Sequence, residues 1–409
     1  MSDRDVTLHL TSYEDVRAAL YSPVFARADD LDRADFCVGN VLDNTINSLH
    51  GQSHRDRRRS EGRIFSQAHR WRLEHDVVVG ATRRALERAR ESGSTRLNLI
   101  EFTRTIAILN AIRIVGIDVA IDAVDEQADL GNLARMFAAG AGVEESLRPR
   151  AELLADVQAA LSRYDERYFR RSYDARVKLR RAEPDRPADD LIEALVALQE
   201  PMGISYEDIL RETSFYMAAG SDTTTQSTTA VLHFVWNHAE SPRDMAHDRA
   251  ALQVWLHEAL RLRTVVPTVS RRVMQDVTIN GRDIPQGTKI HVDLHAGSTD
   301  PAVYGEDARD FNPARAVPDG VPRFGFAFSG GVHACLGKAL AAGSPVQPGD
   351  DPDEQHLHGV VTVIASELLR AGITPVPGTE PSGDPLTRRW SRWVDYPAQL
   401  SAADEPVSA

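Results

Sequence analysis

The most specific pattern in this chain is Phe324-Gly-Phe-Ala-Phe-Ser-Gly-Gly-Val-His-Ala-Cys-Leu-Gly-Lys-Ala-Leu340, a glycine-rich segment with one cysteine. Glycine has no Cβ, so the backbone of such a segment can pass close to a flat ligand. The cysteine, Cys335, precedes a short helical pattern, and backbone N–H groups at a helix start favour a thiolate. A thiolate ligand to a haem iron requires these features. A lone cysteine in a turn is more commonly an inert core residue, so the interpretation depends on the remaining sequence.

The same segment resembles the haem-binding signature of the cytochrome P450 family. Phe328, Gly331, Cys335 and Gly337 stand at the spacing of that signature, and four matches in register are rare by chance. The resemblance implies that Cys335 is the iron ligand and that the other three residues shape the haem-binding loop. It also implies that His333 hydrogen-bonds a propionate, and that the cofactor is haem b.

A second motif of that family, Glu-x-x-Arg, is matched by Glu258 and Arg261. Pairs at this spacing are common as exposed ion pairs of helices. The position of this pair, 77 residues before Cys335, is what makes it informative. Its implied role is structural, because the arginine would tie its helix to the segment ahead of the haem loop.

Basic residues at two places are candidates for binding the haem propionates. His54 and Arg58 match the family's His-x-x-x-Arg pattern and lie one helical turn apart, so both could reach one anion. Flanking arginines leave open a second interpretation, a solvated basic face. Arg271 matches the family's other propionate arginine, although the adjacent Arg272 leaves an ambiguity of one residue.

The oxygen-activation motif of the family resembles Ala219-Gly-Ser-Asp-Thr-Thr224, inside the predicted helix Ser205–His238. By this resemblance, Asp222 and Thr223 are catalytic residues that deliver protons during oxygen activation. Gly220 and the hydroxyl residues predict a disruption of the helix, because such side chains bond to carbonyls one turn earlier. The alternative is that the hydroxyl groups only satisfy these local carbonyls.

Hydrophobic periodicity predicts a mainly α-helical chain with a small β region. The predicted helices are Arg72–Arg90, Leu99–Gly116, Leu153–Arg180, Asp190–Leu198, Ser205–His238 and Gly359–Ala371, and the predicted strands are Val6–Leu10, Val277–Ile279 and Lys289–Leu294. Asn280-Gly281 predicts a tight hairpin turn. The resemblance implies the cytochrome P450 fold, an α-helical triangular prism around a buried haem, as one domain over residues 1–409 that is short at its N-terminus. The acidic segment Gly343–His358 interrupts the helix that follows the haem cysteine in the family.

Composition excludes several other classes of protein. With 409 residues, 42% hydrophobic and 26% charged, the chain is typical of globular proteins. It has neither an apolar run of membrane-spanning length nor a secretory signal, so we expect a cytoplasmic protein. The net charge of −13 argues against nonspecific nucleic-acid binding. Cys37 and Cys335 are too few for a disulfide framework.

The resemblance implies a monooxygenase that inserts one oxygen atom into a medium-sized, mostly apolar organic substrate, in secondary metabolism. Electrons would come from a ferredoxin and its NAD(P)H-dependent reductase, since the chain contains no flavin or iron–sulfur segment. A second hypothesis is oxidative coupling, desaturation or nitration at the same haem. A third is a noncatalytic haem-binding sensor, against which the pair Asp222 and Thr223 argues.

Two sets of residues are expected to contact the substrate and the electron donor. The pocket candidates by similarity are Phe215, Tyr216, Ala219, Val265, Val266, Thr268 and Val269, with the segments Asp30–Ile46 and Arg388–Trp393. A basic face near His54 would dock an acidic ferredoxin, and its members are Arg57, Arg59, Arg63, Arg70 and Arg72. The alternative for this face is a solvated arginine surface.

Overall fold

The structure, a computed structural model, describes residues 7–26, 41–93 and 95–401. Its α-helices are α1 (Tyr13–Tyr21), α2 (Gly51–Glu61), α3 (Gln67–Arg72), α4 (Val79–Glu91), α5 (Leu99–Val115), α6 (Val124–Ala141), α7 (Arg150–Tyr164), α8 (Arg170–Ala182), α9 (Leu191–Val196), α10 (Gln199–Met202), α11 (Tyr206–His238), α12 (Pro242–Met245), α13 (Arg249–Leu262), α14 (Leu294–Ser298), α15 (Pro301–Tyr304), α16 (Lys338–Ala342) and α17 (Val360–Arg370). Cys37 and most of the segment Asp30–Ile46 lie outside the described residues.

The β region consists of short strands. They are β1 (Thr7–Leu10), β2 (Phe25–Ala26), β3 (Arg96–Asn98), β4 (Thr268–Val273), β5 (Val277–Ile279), β6 (Arg282–Ile284), β7 (Lys289–Asp293), β8 (Ile373–Pro375), β9 (Ser382–Gly383), β10 (Trp393–Asp395) and β11 (Pro397–Leu400). The largest sheet has the order β1-β7-β4-β2, and a second has the order β3-β11-β8. The predicted hairpin turn is confirmed at Asn280 and Gly281, both at positive φ, but β5 pairs there with β6, which was not predicted, while β7 pairs with β1 and β4.

The core is organised around α11, which packs against α5, α6, α13 and α17. Its N-terminus carries a capping box, in which the Ser205 hydroxyl accepts the N–H of Asp208 and the Asp208 carboxylate accepts the N–H of Ser205. These reciprocal bonds satisfy two donors that a helix start leaves unpaired. None of the helices among the described residues is both long and apolar enough for a membrane crossing.

The disruption expected at Gly220 is not present, because α11 is one α-helix from Tyr206 to His238. The glycine serves helix packing instead: a Cβ at Gly220 would lie 3.3 Å from the Cβ of Ala111 on α5. The hydroxyls of Ser221 and Thr225 donate to carbonyls one turn earlier. Such bonds add to the helical bonds without replacing them, so the helix continues.

The helix that follows Cys335 is interrupted, as the sequence predicts. α16 ends at Ala342, and a loop leads to α17. The Glu74 carboxylate accepts the N–H groups of His358 and Gly359, each at 3.0 Å, directly before α17 begins. A side chain from a distant part of the sequence thus pairs two backbone N–H groups at the point where the loop meets α17.

The Glu-x-x-Arg pair is buried and connects α13 to the segment before the glycine-rich loop. Two nitrogens of Arg261 donate to the Glu258 carboxylate at 2.8 and 2.7 Å, and a third donates to the carbonyls of Ser298 and Ala308. Arg315 donates to the same carboxylate at 3.2 Å. Glu258 thereby pairs with both guanidinium groups, Arg315 has a second acid in Asp307 at 2.6 Å, and carbonyls bind the remaining donors.

Candidate active site

A cavity of about 350 Å³ lies between α11 and the glycine-rich loop. It brings together most of the residues singled out from the sequence. Those that line it are His54, Arg58, Asp222, Thr223, Phe328, His333, Cys335 and Gly337, together with the pocket candidates Phe215, Tyr216, Ala219, Val265, Val266 and Val269. Residues more than 250 positions apart in the sequence therefore meet at one site.

The thiol of Cys335 opens onto this cavity. It is accessible to water there although protein surrounds it. The N–H of Cys335 donates to the carbonyl of Phe328 at 2.9 Å, which closes the loop. Burial raises the pKa of the thiol, while the N–H groups of Gly337 and Lys338 and the charge of Arg58 act in the opposite direction. A bound cation would complete the stabilisation of the thiolate that these groups begin.

A basic corner lies at the edge of the cavity, where α2 meets the loop. The rings of His54 and His333 are 4.3 Å apart, and Arg58 donates to the carbonyl of Ala334. His54 is buried, and its Nε2 atom has no hydrogen-bond partner among the described residues. Burial and the Arg58 charge lower the pKa of His54 to about 4. An orphaned donor beside an arginine fits a carboxylate ligand, so this corner and the Cys335 thiol together fit a haem.

The carboxylate of Asp222 is held in a fixed orientation by an arginine that sequence reasoning did not identify as its partner. Arg392, just before β10, donates to both Asp222 oxygens, at 2.5 and 2.8 Å. The Thr223 hydroxyl donates to the carbonyl of Ala219. Asp222 and Thr223 both line the cavity, but the side chain of each already has a hydrogen-bond partner within the protein.

Three expected site residues do not line the cavity. A Cβ at Gly331 would lie 2.0 Å from the carbonyl oxygen of Leu20, so this glycine permits close packing of the loop on α1. Thr268 lies on the opposite face of β4 from Val269, since residues alternate along a strand. Its hydroxyl points to Glu145 at 3.5 Å.

The third of these, Arg271, is buried on β4, and its Nη1 donates to the carbonyl of Ser270 at 2.9 Å. It shares the strand face of Val269, which lines the cavity. Arg272 faces the other way and donates to the carbonyl of Gly287. Of the two adjacent arginines, Arg271 is therefore the one on the side of the site.

The basic face expected to dock a ferredoxin is smaller than the sequence predicts. Arg57 is buried, with 2% of its side chain exposed, and it pairs with Glu61 and Glu212. Arg72 lies 3.5 Å from Asp189, and Arg70 is half-buried. Arg59, Arg63 and Arg72 remain on the exposed surface. The helical period explains the error, since positions two residues apart on α2 face opposite sides.

Asn110 and Arg389 are further polar residues of the cavity lining, although neither was singled out from the sequence as a site residue. Asn110 on α5 lines it, and its side-chain oxygen has no partner among the described residues. Arg389 also lines it, from the loop between β9 and β10. The similarity placed the segment Arg388–Trp393 near the pocket, but no spacing rule indicates which residue of a loop points inward.

Comparisons with known proteins agree with this fold. Residues 155–343 match the sequence model of the family Cytochrome P450. The chain is 30% identical over 178 residues to cytochrome P450 734A1 from Arabidopsis thaliana, a match that covers 38% of this chain and 34% of that protein. The chain thus matches about a third of the length of this relative.

Solved structures resemble the chain over nearly its whole length. P450BioI, in complex with an acyl carrier protein that carries hexadec-9Z-enoic acid, has a TM-score of 0.74 at 17% identity, over 96% of this chain and 91% of that chain. CYP109E1 from Bacillus megaterium, in complex with testosterone, has a TM-score of 0.71 at 17% identity, over 98% and 95%. The fold and the matching central segment are therefore similar to those of the cytochrome P450 family.

Proposed function

We propose that this protein is a haem-thiolate monooxygenase, with haem b bound in the cavity and Cys335 as the iron ligand. The observation that carries the proposal is the arrangement around the cavity. A thiol opens onto it from the glycine-rich loop, a basic corner with an orphaned His54 nitrogen lies at its edge, and Asp222 and Thr223 line it from α11. When bound, a haem with a thiolate ligand supplies O–O bond cleavage and the oxidising power for insertion of an oxygen atom.

The protein contributes orientation, proton handling and control of access. His54, Arg58 and His333 would orient the haem through its propionates, with Arg271 on the neighbouring strand. The Asp222 carboxylate accepts protons at oxygens whose position Arg392 fixes. The Thr223 hydroxyl lies one residue further along α11, where it can pass a proton from Asp222 into the cavity once it leaves the Ala219 carbonyl.

The remaining lining favours a mostly apolar, medium-sized substrate. Phe215, Ala219, Val265, Val266 and Val269 present apolar side chains to the cavity. Two structural neighbours hold testosterone and a fatty acyl chain, which are largely apolar molecules. Hydroxylation of such a substrate, with electrons from a ferredoxin and its NAD(P)H-dependent reductase, is the reaction that we propose.

The identity of the iron ligand is tested by the carbon monoxide complex of the reduced protein. The wild-type protein should show the strongly red-shifted Soret band of a haem thiolate, and Cys335→Ala should abolish it. Cys37→Ala is the matched control and should retain the band. A normal band in Cys335→Ala, or its absence from the wild type, would refute the assignment.

One observation favours the second candidate, a haem-thiolate enzyme that couples, desaturates or nitrates. The Thr223 hydroxyl is bonded to Ala219 inside an uninterrupted helix, as expected if it only satisfies a local carbonyl. Under the monooxygenase proposal, Thr223→Ala should divert reducing equivalents from product to hydrogen peroxide, while Thr224→Ala should not. Unchanged coupling in Thr223→Ala, with no label from ¹⁸O₂ in the product, would favour the second candidate.

A further inference from the structure

Arg389 lies in a tightly held loop above the cavity. The hydroxyl of Thr387 accepts its backbone N–H at 3.2 Å, and its carbonyl accepts the N–H of Arg392 at 3.1 Å. Its guanidinium packs over the end of α6, where a Cβ at Gly142 would lie 3.2 Å from Nη2. The arginine is thus held at the cavity by backbone bonds on both sides and by helix packing.

The charge of Arg389 has no anionic partner among the described residues. The nearest acid of the cavity, Asp222, is engaged by both terminal nitrogens of Arg392. Glu145 is near enough to act on Arg389 electrostatically but forms no ion pair with it. Burial and the Arg392 charge lower the pKa of Arg389. Arg389 is half-buried, and a half-buried cation without an ion pair would be stabilised by a ligand that carries a negative charge.

The surroundings of Arg389 restrict the chemistry of that ligand. Ala138 and Ala141 on α6, with Val265 and Val269, make the adjoining lining apolar. A guanidinium carries one positive charge, and Glu145 and Asp222 already act on it, so a monoanion fits better than a phosphate dianion. The planar guanidinium matches the two oxygens of a carboxylate.

We propose that the substrate is an organic carboxylate with an apolar body, bound through its carboxylate to Arg389 while the apolar part extends toward the Cys335 loop. This inference rests on the proposed function and narrows its substrate class. Arg389 would then determine substrate specificity. Because Arg392 pairs with Asp222, Asp222 does not pair with Arg389, whose charge can bind the ligand.

The test compares acids with their uncharged amides on the haem-loaded protein. The probes are decanoic acid, 3-phenylpropionic acid and lithocholic acid, each paired with its primary amide. Binding is measured by the Soret shift and, independently, by isothermal titration calorimetry. The variants are Arg389→Gln, Arg389→Lys and, as matched control, Arg388→Gln, which changes the exposed neighbouring arginine.

At least one acid should bind the wild type about ten- to a hundredfold more tightly than its amide, as expected for a charged hydrogen-bonded pair. Arg389→Gln should remove this preference by weakening the acid alone, Arg389→Lys should retain part of it, and Arg388→Gln should leave it intact. Equal binding of acid and amide in every pair would overturn the inference. So would an equal loss for both ligands in Arg389→Gln, which would indicate a role in pocket shape only.

If the proposed function is wrong, the experiments should give a different result from the one expected if only the substrate class is wrong. A protein without the red-shifted carbon monoxide band would lack the haem thiolate, yet calorimetry would still report whether Arg389 selects the acid. Conversely, a normal band with no acid preference would refute only the substrate class. Because Arg389 has no ion pair to lose, Arg389→Gln should also fold with an unchanged or higher Tm, which keeps the binding comparison interpretable.

Discussion

Replacing Arg57 by leucine should lower the free energy of unfolding by about 3–5 kcal/mol, the cost of removing one partner from a buried ion pair. Arg57 connects α2 to the central helix. Its Nε donates to Glu61 at 2.9 Å, and it also donates to Glu212. Only 2% of the Arg57 side chain is exposed, and both carboxylates are fully buried. Leucine would leave those carboxylates without the only cation that pairs with them among the described residues.

Replacing one of the two acids of this cluster should affect stability in the opposite direction to replacing Arg57. Two carboxylates share one guanidinium, and burial raises the pKa of both Glu61 and Glu212 above the ordinary value of 4.5. The folded protein therefore binds more protons here than the unfolded chain, so this cluster loses stability as pH rises above 4.5. Glu212→Gln removes one of these titrations. The free energy of unfolding of this variant minus that of wild type should therefore rise with pH, by at most about 1.4 kcal/mol per pH unit.

Urea unfolding followed by circular dichroism, at pH values from 5 to 8, measures both effects. Arg59→Leu is the control for Arg57→Leu, because Arg59 is exposed on the same helix and its pair with Asp56 contributes about 0–1 kcal/mol. A loss below about 1 kcal/mol in Arg57→Leu, or a loss equal to that of Arg59→Leu, would refute the account of the cluster. An equally large loss in Glu212→Gln at pH 8 would contradict the shared-proton argument.

Three other perturbations have expected outcomes. Glu74→Ala should lower the free energy of unfolding by about 1–3 kcal/mol, because two N–H groups before α17 lose their acceptor; in urea unfolding, the exposed Asp351→Ala in the same loop should have no measurable effect. Arg261→Lys should yield little haem-loaded protein, measured by the ratio of Soret to protein absorbance, because a lysine cannot bridge Glu258 and two carbonyls at once. His54→Phe should release haem to apomyoglobin faster than wild type while retaining the carbon monoxide band, and an unchanged release rate would argue against a propionate contact.

Much of this molecule was predictable because its signals are local in the sequence. The cysteine loop, the capped helix that begins after Ser205 and the Asn280-Gly281 hairpin each depend on residues a few positions apart, where backbone geometry imposes the pattern. The helix α6, by contrast, was not predicted. Its buried residues Leu130, Leu133, Ala134 and Phe137 do recur at helical spacing, so the signal was present in the sequence.

Burial of charge was the main property that local patterns did not predict. Arg57 and Arg59 stand two positions apart in an arginine-rich segment, so they lie on opposite sides of α2, but the local sequence does not indicate which side is buried. The distinction arises from Glu212, 155 residues away, which meets Arg57 when α2 packs against α11. A basic segment therefore predicts an electrostatic surface only for those residues that the tertiary structure leaves exposed.

The two arginines of the loop before β10 show how a functional difference can arise from tertiary contacts alone. Arg389 and Arg392 lie three positions apart, and both approach Asp222. Since both oxygens of this carboxylate accept hydrogen bonds from Arg392, it is no longer available to pair with Arg389. One arginine consequently fixes the proposed proton carrier, while the other, which forms no ion pair among the described residues, brings its positive charge to a mostly apolar cavity. The sequence contains both residues, but the division of roles follows from which guanidinium reaches the carboxylate of α11.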